Sequence, residues 1–428
     1  MHIIPPIVPV GGFFVIKIVR TKKGFCGIID SMETRYLIER LASRYDSFYL
    51  YDEQSIVSQI NLLQKNFPSI DFLYSVKCNP NQNILKSVFA KNFGASVSSV
   101  GEMELAKNLG LVREKIFYSA PGKSMEDLRS SYQDSVIVAD SISEIERLKY
   151  LAKIVNEQIE IGVRINPNFN YEKDEGLPSR FGIDENEAIS YLEKLDELYV
   201  KVVGIHTQIK NQELDCSKIN RYYKKVFQLA EKIENALGRR LDFIDIGSGI
   251  GIPYADGDRD VNIQWLGSEM EERISNFKIT HPKIRVMLTL GRYVVGKCGS
   301  YVTHVIDKKI SHGKTFVILQ NCLNGFARPA ISTLADKYFP ESVLSKVNTF
   351  EISTLAASEG LEKITLAGNT CVQEDLVAEE IEMPKLNIGD AVIFSNAGGY
   401  ASVFSPMQFS QKKMPVQFFF TVDGEVRI

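Results

Sequence analysis

From residue 47 onward the chain alternates between short runs rich in β-branched and aromatic residues and longer stretches with apolar residues at three and four spacing. The runs are SFYLYD, DFLYSVK, GASVSS, KIFYSAP, SVIVAD, IEIGVRINP, VKVVGIHTQI, LDFIDIGSG and IRVMLTLG. Segments such as VGEMELAKNLGL, SISEIERLKYLAKIV and NRYYKKVFQLAEKIENALG separate them and carry the helical pattern. Parallel strands need a helical crossover, so strand and helix alternating about eight times predicts an α/β chain with a (β/α)8 TIM-like barrel. An open doubly wound sheet is the structural alternative.

After residue 293 the rhythm changes. YVTHVIDKKISHGKTFVIL, AEEIEMPKLNIGDAVIFSNAGGYASVF and VQFFFTVDGEVRI place β-rich runs between Gly, Asp and Asn turns without intervening helices, which predicts a C-terminal antiparallel β domain. The N-terminal run FFVIKIV can join that domain in space. The expected division is therefore 1–44 with the β domain, 45–290 as barrel and 291–428 as β domain.

Composition narrows the class. The 428 residues are 44% hydrophobic and 24% charged, with a net charge of −3, which fits globular domains with sizeable cores. Lysine and arginine are spread along the chain, so no nucleic-acid or anionic-membrane surface is indicated. The six cysteines fall singly and no His stands near them at ligand spacing. Neither a metal site nor a disulfide framework is expected, and a cytoplasmic location fits. The apolar N-terminus has three prolines in its first nine residues and no preceding basic region, a poor match to a signal peptide. No run reaches the roughly 18–20 apolar residues that a membrane helix needs.

In a barrel the site lies at the C-terminal ends of the strands, so polar residues that close strand runs are candidates. Lys77 closes DFLYSVK; partly desolvated there, its amine loses basicity and becomes available for Schiff-base chemistry. A lysine snorkelling into solvent is the plainer alternative. Arg164, His206, Asp245 and Arg292 close or follow other strand runs and would converge on the same mouth. Glycines 247, 249 and 251 follow a strand directly and can offer bare amides to a phosphate, although such a stretch is also an ordinary tight turn. A lysine, a phosphate cradle and an arginine on one mouth point to pyridoxal phosphate.

The set YSVKCNPN, GVRINPN, SRFGID, GIHTQI, DIGSGIGIPY, LGRYVVGKCGSYVTHV, ARPA, CVQED and NAGGY, in that order, resembles the fold-type III pyridoxal-phosphate decarboxylases of the ornithine and diaminopimelate decarboxylase family. The resemblance covers nearly the whole chain. It implies an alanine racemase-like two-domain architecture and a cytoplasmic homodimer whose two sites each draw on both chains. It also implies decarboxylation of an amino acid with pyridoxal 5'-phosphate as cofactor.

By the same resemblance Lys77 bonds covalently to the cofactor, His206 stacks on its ring, and Gly247, Ser248, Gly249, Gly291, Arg292 and Tyr400 hold its phosphate. Glu102 and Arg164 fall at cofactor-proximal positions. Cys371, from the partner chain, acts after carbon dioxide leaves, and Asp375 matches the acid that follows in its loop. Taken alone, Cys371 reads as an ordinary small buried residue.

Departures from the pattern bear on substrate. Val372 stands where relatives acting on diamino substrates carry an acid after the loop cysteine, and a valine cannot neutralise a distal ammonium. Ser332 replaces a tyrosine that often follows the RPA motif, while Arg328 is kept as a carboxylate or carbonyl partner. Asn211 and Gln212 stand where a Ser-Gln pair falls, two residues later than in ornithine enzymes. Together these features resemble the L-glutamyl-[acyl-carrier-protein] decarboxylases of antibiotic biosynthesis, which implies an acyl carrier protein as partner; a free amino acid such as diaminopimelate or ornithine is the alternative. The glutamate of the family's EPGR motif is here Thr289, a hydroxyl in place of the acid that partners the pyridine nitrogen. That departure leaves open a slower enzyme, a proton delivered by another route, or a non-catalytic regulatory homologue.

Overall fold

The computed structural model describes residues 32–254, 257–338, 350–356 and 360–428. The run FFVIKIV lies outside the described residues.

Eight strands form the barrel: β1 (Asp71–Ser75), β2 (Gly94–Val97), β3 (Ile116–Ser119), β4 (Val136–Ala139), β5 (Ile159–Asn166), β6 (Val200–His206), β7 (Phe243–Asp245) and β8 (Arg285–Leu290). Each pairs in parallel with its neighbours, in the order β4-β3-β2-β1-β8-β7-β6-β5, and β4 pairs with β5 to close the ring. An open doubly wound sheet would leave two edges, and this sheet has none apart from a two-residue strand, Ile183–Asp184, added beside β5. Leu73, Phe117, Val138, Val203, Phe243 and Met287, from six different strands, pack into one buried cluster, so the barrel is filled rather than hollow. Two glycines make that packing feasible. A Cβ on Gly204 would lie 2.5 Å from the Phe243 ring and one on Gly162 2.8 Å from it.

The crossover helices start where the sequence supplies caps. Ser99 and Ser141 accept backbone N–H bonds from Glu102 and Glu144, and Ser124 with Asp127 completes a reciprocal capping box. The longest helix among the described residues, Cys216–Leu237, buries Ile219, Tyr222, Tyr223, Val226 and Ile233 along one stripe and stops at Gly238, whose φ of 67° is the left-handed cap conformation.

Compact units divide the chain at slightly different places from those expected. One spans Val57–Ile252 and Arg259–Val294; the other collects the described residues up to Ile56, a short piece at 253–258 and the chain from Val295 onward. The run SFYLYD, expected as part of the barrel rhythm, belongs to the second unit. Its strand, Ser47–Asp52, runs antiparallel to Gly299–Ser311, with Ser47 opposite Thr303, and parallel to Val416–Phe420, with Phe48 opposite Val416. Local rhythm cannot reveal this, because the pairing partners lie about 250 and 370 residues away. All of its residues but Asp52 are buried, as a strand with neighbours on both edges requires.

Among the described residues, the sheet of the second unit has nine strands. It is antiparallel except for the pair just named and Lys314–Leu319 beside Leu361–Gly368. The expectation of no helices after residue 293 is corrected by Arg328–Tyr338, which opens with ARPA; Pro329 sits in its first turn, where a missing N–H costs nothing. The core of this unit joins Leu37, Ile38 and Leu41 to Phe48, Leu50, Val302, Ile393 and Phe418. No helix among the described residues is long and apolar enough to cross a membrane.

Candidate active site

Parallel pairing sets three polar side chains level at the C-terminal rim of the barrel. Arg164 on β5 is opposite His206 on β6, and His206 is opposite Asp245 on β7. His206 and Asp245 end their strands and Arg164 lies two residues before the end of its own, so burying the strands carries these polar groups inward. All three are buried.

His206 is held on both sides. Its Nδ1 lies 3.0 Å from Oγ of Ser119 at the end of β3, and its Nε2 lies 3.8 Å from Oδ2 of Asp245. Burial, then the charges of Arg164, Lys77 and Lys123, hold its pKa well below the usual histidine value, so the ring is neutral at pH 7. Arg164 is fixed by Asp140, whose Oδ1 is 3.5 Å from Nη1, by a 3.2 Å bond from Nη2 to the Gln208 carbonyl, and by the Phe181 ring 4.5 Å from its guanidinium.

Lys77 stands just beyond a strand rather than closing one. β1 ends at Ser75, and Lys77 occupies the 3-10 turn Val76–Cys78 between two buried neighbours. Its side chain is solvent-accessible, yet protein atoms crowd the amine closely enough that desolvation lowers its pKa; Arg164 adds to the effect, while Glu102 and Cys78 oppose it. Glu102, half-buried in the first turn of its helix, accepts the Ser98 N–H at 2.7 Å. Desolvation raises its pKa against the pull of that bond and of Lys77.

The glycine loop after β7 has the positive φ expected of it, but its amides are not all bare: the N–H groups of Gly247, Ser248 and Gly251 donate to Asp245, Gln208 and Glu213. Gly247 and Gly249 have φ of 65° and 69°, a region open to glycine at little cost. A Cβ on Gly247 would collide with the Gln208 side chain, and one on Gly249 with the Tyr171 hydroxyl. Ser248 N–H donates to Oε1 of Gln208 at 3.1 Å, and its carbonyl accepts the Tyr223 hydroxyl at 3.0 Å. The segment after His206 is zipped to this loop. Glu213 N–H donates to the Gly249 carbonyl at 2.8 Å, Gly251 N–H donates to the Glu213 carbonyl at 2.9 Å, and the Gln212 amide bonds both N–H and carbonyl of Ile252.

Thr289 on β8 donates its hydroxyl to Oδ2 of Asp245 at 2.9 Å, and the Gly247 N–H donates to Oδ1 at 3.0 Å. Burial pushes the Asp245 carboxyl up to about 6, against those bonds and Arg164. Gly291 follows, where a Cβ would come within 2.9 Å of the Cys78 side chain, and half-buried Arg292 opens a one-turn helix, Arg292–Val295.

The remaining expected residues belong to the other unit. Arg328 and Ser332 are buried in the helix Arg328–Tyr338. Cys371 is exposed and Val372 half-buried in a loop that Asp375 organises. Asp375 is buried; Oδ1 accepts the Leu323 N–H at 2.8 Å and Oδ2 the Thr370 N–H at 2.9 Å, so both oxygens of this expected substrate-side acid are engaged by backbone. Tyr400 stacks on Phe404, with centroids 5.5 Å apart, and has a φ of 53°, uncommon for a bulky residue.

Four residues around the barrel went unmarked in the sequence: Ser119, Asp140, Lys123 and Glu144. The first two were open to the strand-end rule, since they close KIFYS and SVIVAD. Nothing local marks Lys123 and Glu144 as a buried pair.

The donors present suit a phosphorylated pyridine aldehyde. Lys77 is an amine of reduced basicity, the loop Gly247 to Gly249 follows a strand with positive φ at both glycines, its Gly247 and Ser248 amides held by Asp245 and Gln208, and His206 and Asp245 are buried. The family model described as pyridoxal-dependent decarboxylase, pyridoxal binding domain, matches residues 53–296. The chain is 29% identical over 390 residues to the L-glutamyl-[BtrI acyl-carrier protein] decarboxylase of Niallia circulans, covering 89% of this chain and 90% of that protein. It is 27% identical over 379 residues to a diaminopimelate decarboxylase of Aquifex aeolicus, covering 86% and 85%. Its fold matches the crystal structure of diaminopimelate decarboxylase from Helicobacter pylori complexed with L-lysine, with a TM-score of 0.78 over 91% of this chain and 95% of that one at 23% identity.

Proposed function

The chain belongs to the pyridoxal-dependent decarboxylases, and from that premise we propose that it acts on a glutamyl group carried as a thioester on an acyl carrier protein, leaving a 4-aminobutyryl thioester. Its reaction class is amino-acid decarboxylation, a carboxy-lyase reaction, and its cofactor is pyridoxal phosphate. Bound pyridoxal phosphate supplies a conjugated sink for the electron pair left when the α-carboxylate departs as carbon dioxide.

In this reading Lys77 anchors the cofactor, and Gly247, Ser248, Gly249, Gly291, Arg292 and Tyr400 hold its phosphate. Glu102, Arg164 and neutral His206 surround its ring. The departing carboxylate is replaced at the α-carbon by one proton, delivered from Nζ of Lys77 or Sγ of Cys371. The protein works as a homodimer in which Cys371 of the partner subunit completes each site. Its exposure in the single chain leaves the thiol open for that role.

Val372 carries the substrate reading. A distal ammonium beside it would lack a counter-charge, at a cost of several kcal/mol, roughly that of breaking a buried ion pair. Asp375 is buried, and each of its oxygens already accepts a backbone N–H, from Leu323 and Thr370. A glutamyl thioester has no charge at that end. The relative from Niallia circulans is named for a carrier-bound glutamyl substrate, which supports the same reading.

A free diamino acid is the second reading. Exposed Glu374 in the same loop favours it, as do the diaminopimelate decarboxylases among the relatives. Release of carbon dioxide from glutamyl carrier protein, free glutamate, diaminopimelate and ornithine, with products identified by mass spectrometry, separates the two. Turnover confined to a free diamine overturns the tethered reading.

A further inference from the structure

Two acids around the barrel rim are in ion pairs. Asp140 faces Arg164, and Glu144 pairs with Lys123 at 2.6 Å. Asp245 is different. It is 3% exposed, and both of its oxygens meet neutral donors, the Gly247 N–H and the Thr289 hydroxyl. Among the described residues, the basic group within 4.0 Å of it is His206, an imidazole kept neutral.

A buried carboxylate whose direct contacts are all neutral, with Arg164 acting on it only from beyond ion-pair distance, is costly unless it holds a proton or faces a further cation brought from elsewhere. Its contact with Thr289 allows both. A hydroxyl has one proton and two lone pairs. With its proton given to Asp245, the Thr289 oxygen can accept from a protonated nitrogen; with Asp245 protonated and donating to that oxygen, the Thr289 proton is free to point the other way.

We propose that Asp245, acting through the Thr289 hydroxyl, is the acid that balances the ring nitrogen of the bound cofactor. A pyridine nitrogen that carries a proton is the better electron sink, and it needs an acidic partner to keep that proton. Thr289 itself has no acidic group, and its hydroxyl already reaches one that does. One proton is shared along Asp245 Oδ2, Thr289 Oγ1 and the nitrogen, with no bond to carbon altered and the total charge conserved. Asp245 is a positioning residue, since it touches Thr289 rather than the ring.

The charged and titratable groups that face Asp245 are His206 from β6, Arg164 from β5 and Tyr222 from the helix Cys216–Leu237. Arg164 favours the ionised carboxylate, and burial disfavours it. The inference rests on the cofactor and not on the choice of substrate.

The test is 15N NMR of the holoenzyme loaded with pyridoxal phosphate labelled at the ring nitrogen, without substrate, near pH 7. Wild type is expected at the protonated-pyridine position. Asp245→Asn and Thr289→Val are each expected to move the resonance to the free-pyridine position, while Thr289→Ser leaves it in place. A nitrogen that stays protonated in Thr289→Val, or that is unprotonated in wild type, overturns the proposal. Thr289→Val removes one hydroxyl at nearly constant volume, so it decides the matter even if Asp245→Asn fails to fold. A wrong substrate assignment appears in the product assays and leaves this resonance unmoved.

Discussion

Nζ of Lys123 lies 2.6 Å from Oε1 of Glu144, and neither side chain has any solvent exposure. The same ammonium donates to the carbonyls of Ala120 at 2.8 Å and Val138 at 2.9 Å, tying the ends of β3 and β4 to the helix that follows. Burial lowers the pKa of Lys123 and raises that of Glu144, each opposed by its partner. Removing one member leaves the other charge buried alone. Glu144→Leu or Lys123→Met should therefore each destabilise the barrel by about 3–5 kcal/mol, while the double replacement should recover most of that loss. Urea unfolding of the four proteins checks it, and equal losses in single and double variants would contradict it.

Gly247→Ala should weaken cofactor binding. Its φ of 65° strains any other residue, and the new Cβ would lie 2.7 Å from the Thr207 carbonyl and collide with Gln208. Left-handed backbone costs an L-residue about 1–2 kcal/mol, and a loop that shifts in the apoprotein to relieve it must meet that cost again on binding, which corresponds to roughly tenfold in affinity. Titrating apoprotein with pyridoxal phosphate and following its absorbance measures the change. Gly238→Ala, at a helix cap with open space around it, is the control for backbone strain away from the loop.

The neutral state of His206 should make the apoprotein acid-sensitive. Its folded pKa is depressed below the unfolded value, so its contribution is complete above the unfolded pKa of roughly 6.5 and is lost as pH falls through the folded value. The slope approaches about 1.4 kcal/mol per pH unit where the unfolded chain is protonated and the native one is not. Asp245 has the opposite sign: its raised pKa gives a contribution complete below the unfolded carboxylate value and lost as pH rises through about 6. Urea titrations from pH 4.5 to 7.5 should show His206→Asn losing less stability on acidification than wild type. Parallel curves would show that the ring does not bind its proton differently on folding.

Asp375→Ala should act on the loop that carries Cys371. It deletes charge-assisted bonds from the Leu323 and Thr370 amides, each worth about 1.5–3 kcal/mol to stability. Expected are a lower unfolding midpoint, faster alkylation at Cys371 and a drop in kcat. An alkylation rate equal to wild type would show that the carboxylate does not organise the loop.

The sequence by itself determined a good deal. Alternating strand and helix periods specify parallel strands joined by helical crossovers, because two-sided burial and crossover length are local properties, whereas the β4–β5 pairing that closes the ring and excludes an open sheet belongs to the tertiary structure. Lys77, Arg164, His206 and Asp245 stood out because polar residues that end apolar runs are conspicuous, and Gly247 and Gly249 because their spacing asks for positive φ. Only the tertiary structure decided which sheet receives Ser47–Asp52, since an identical local pattern serves either one and the choice lies in pairing with Thr303 and Val416. It alone showed that Thr289 is not isolated. The hydroxyl of β8 meets the carboxylate of β7, 44 residues earlier in the chain, through a hydrogen bond that depends on angle and distance across neighbouring strands. Asp375 makes the same point: its residue type announces a charge, and only the fold assigns that charge to the backbone amides of its own loop and of Leu323.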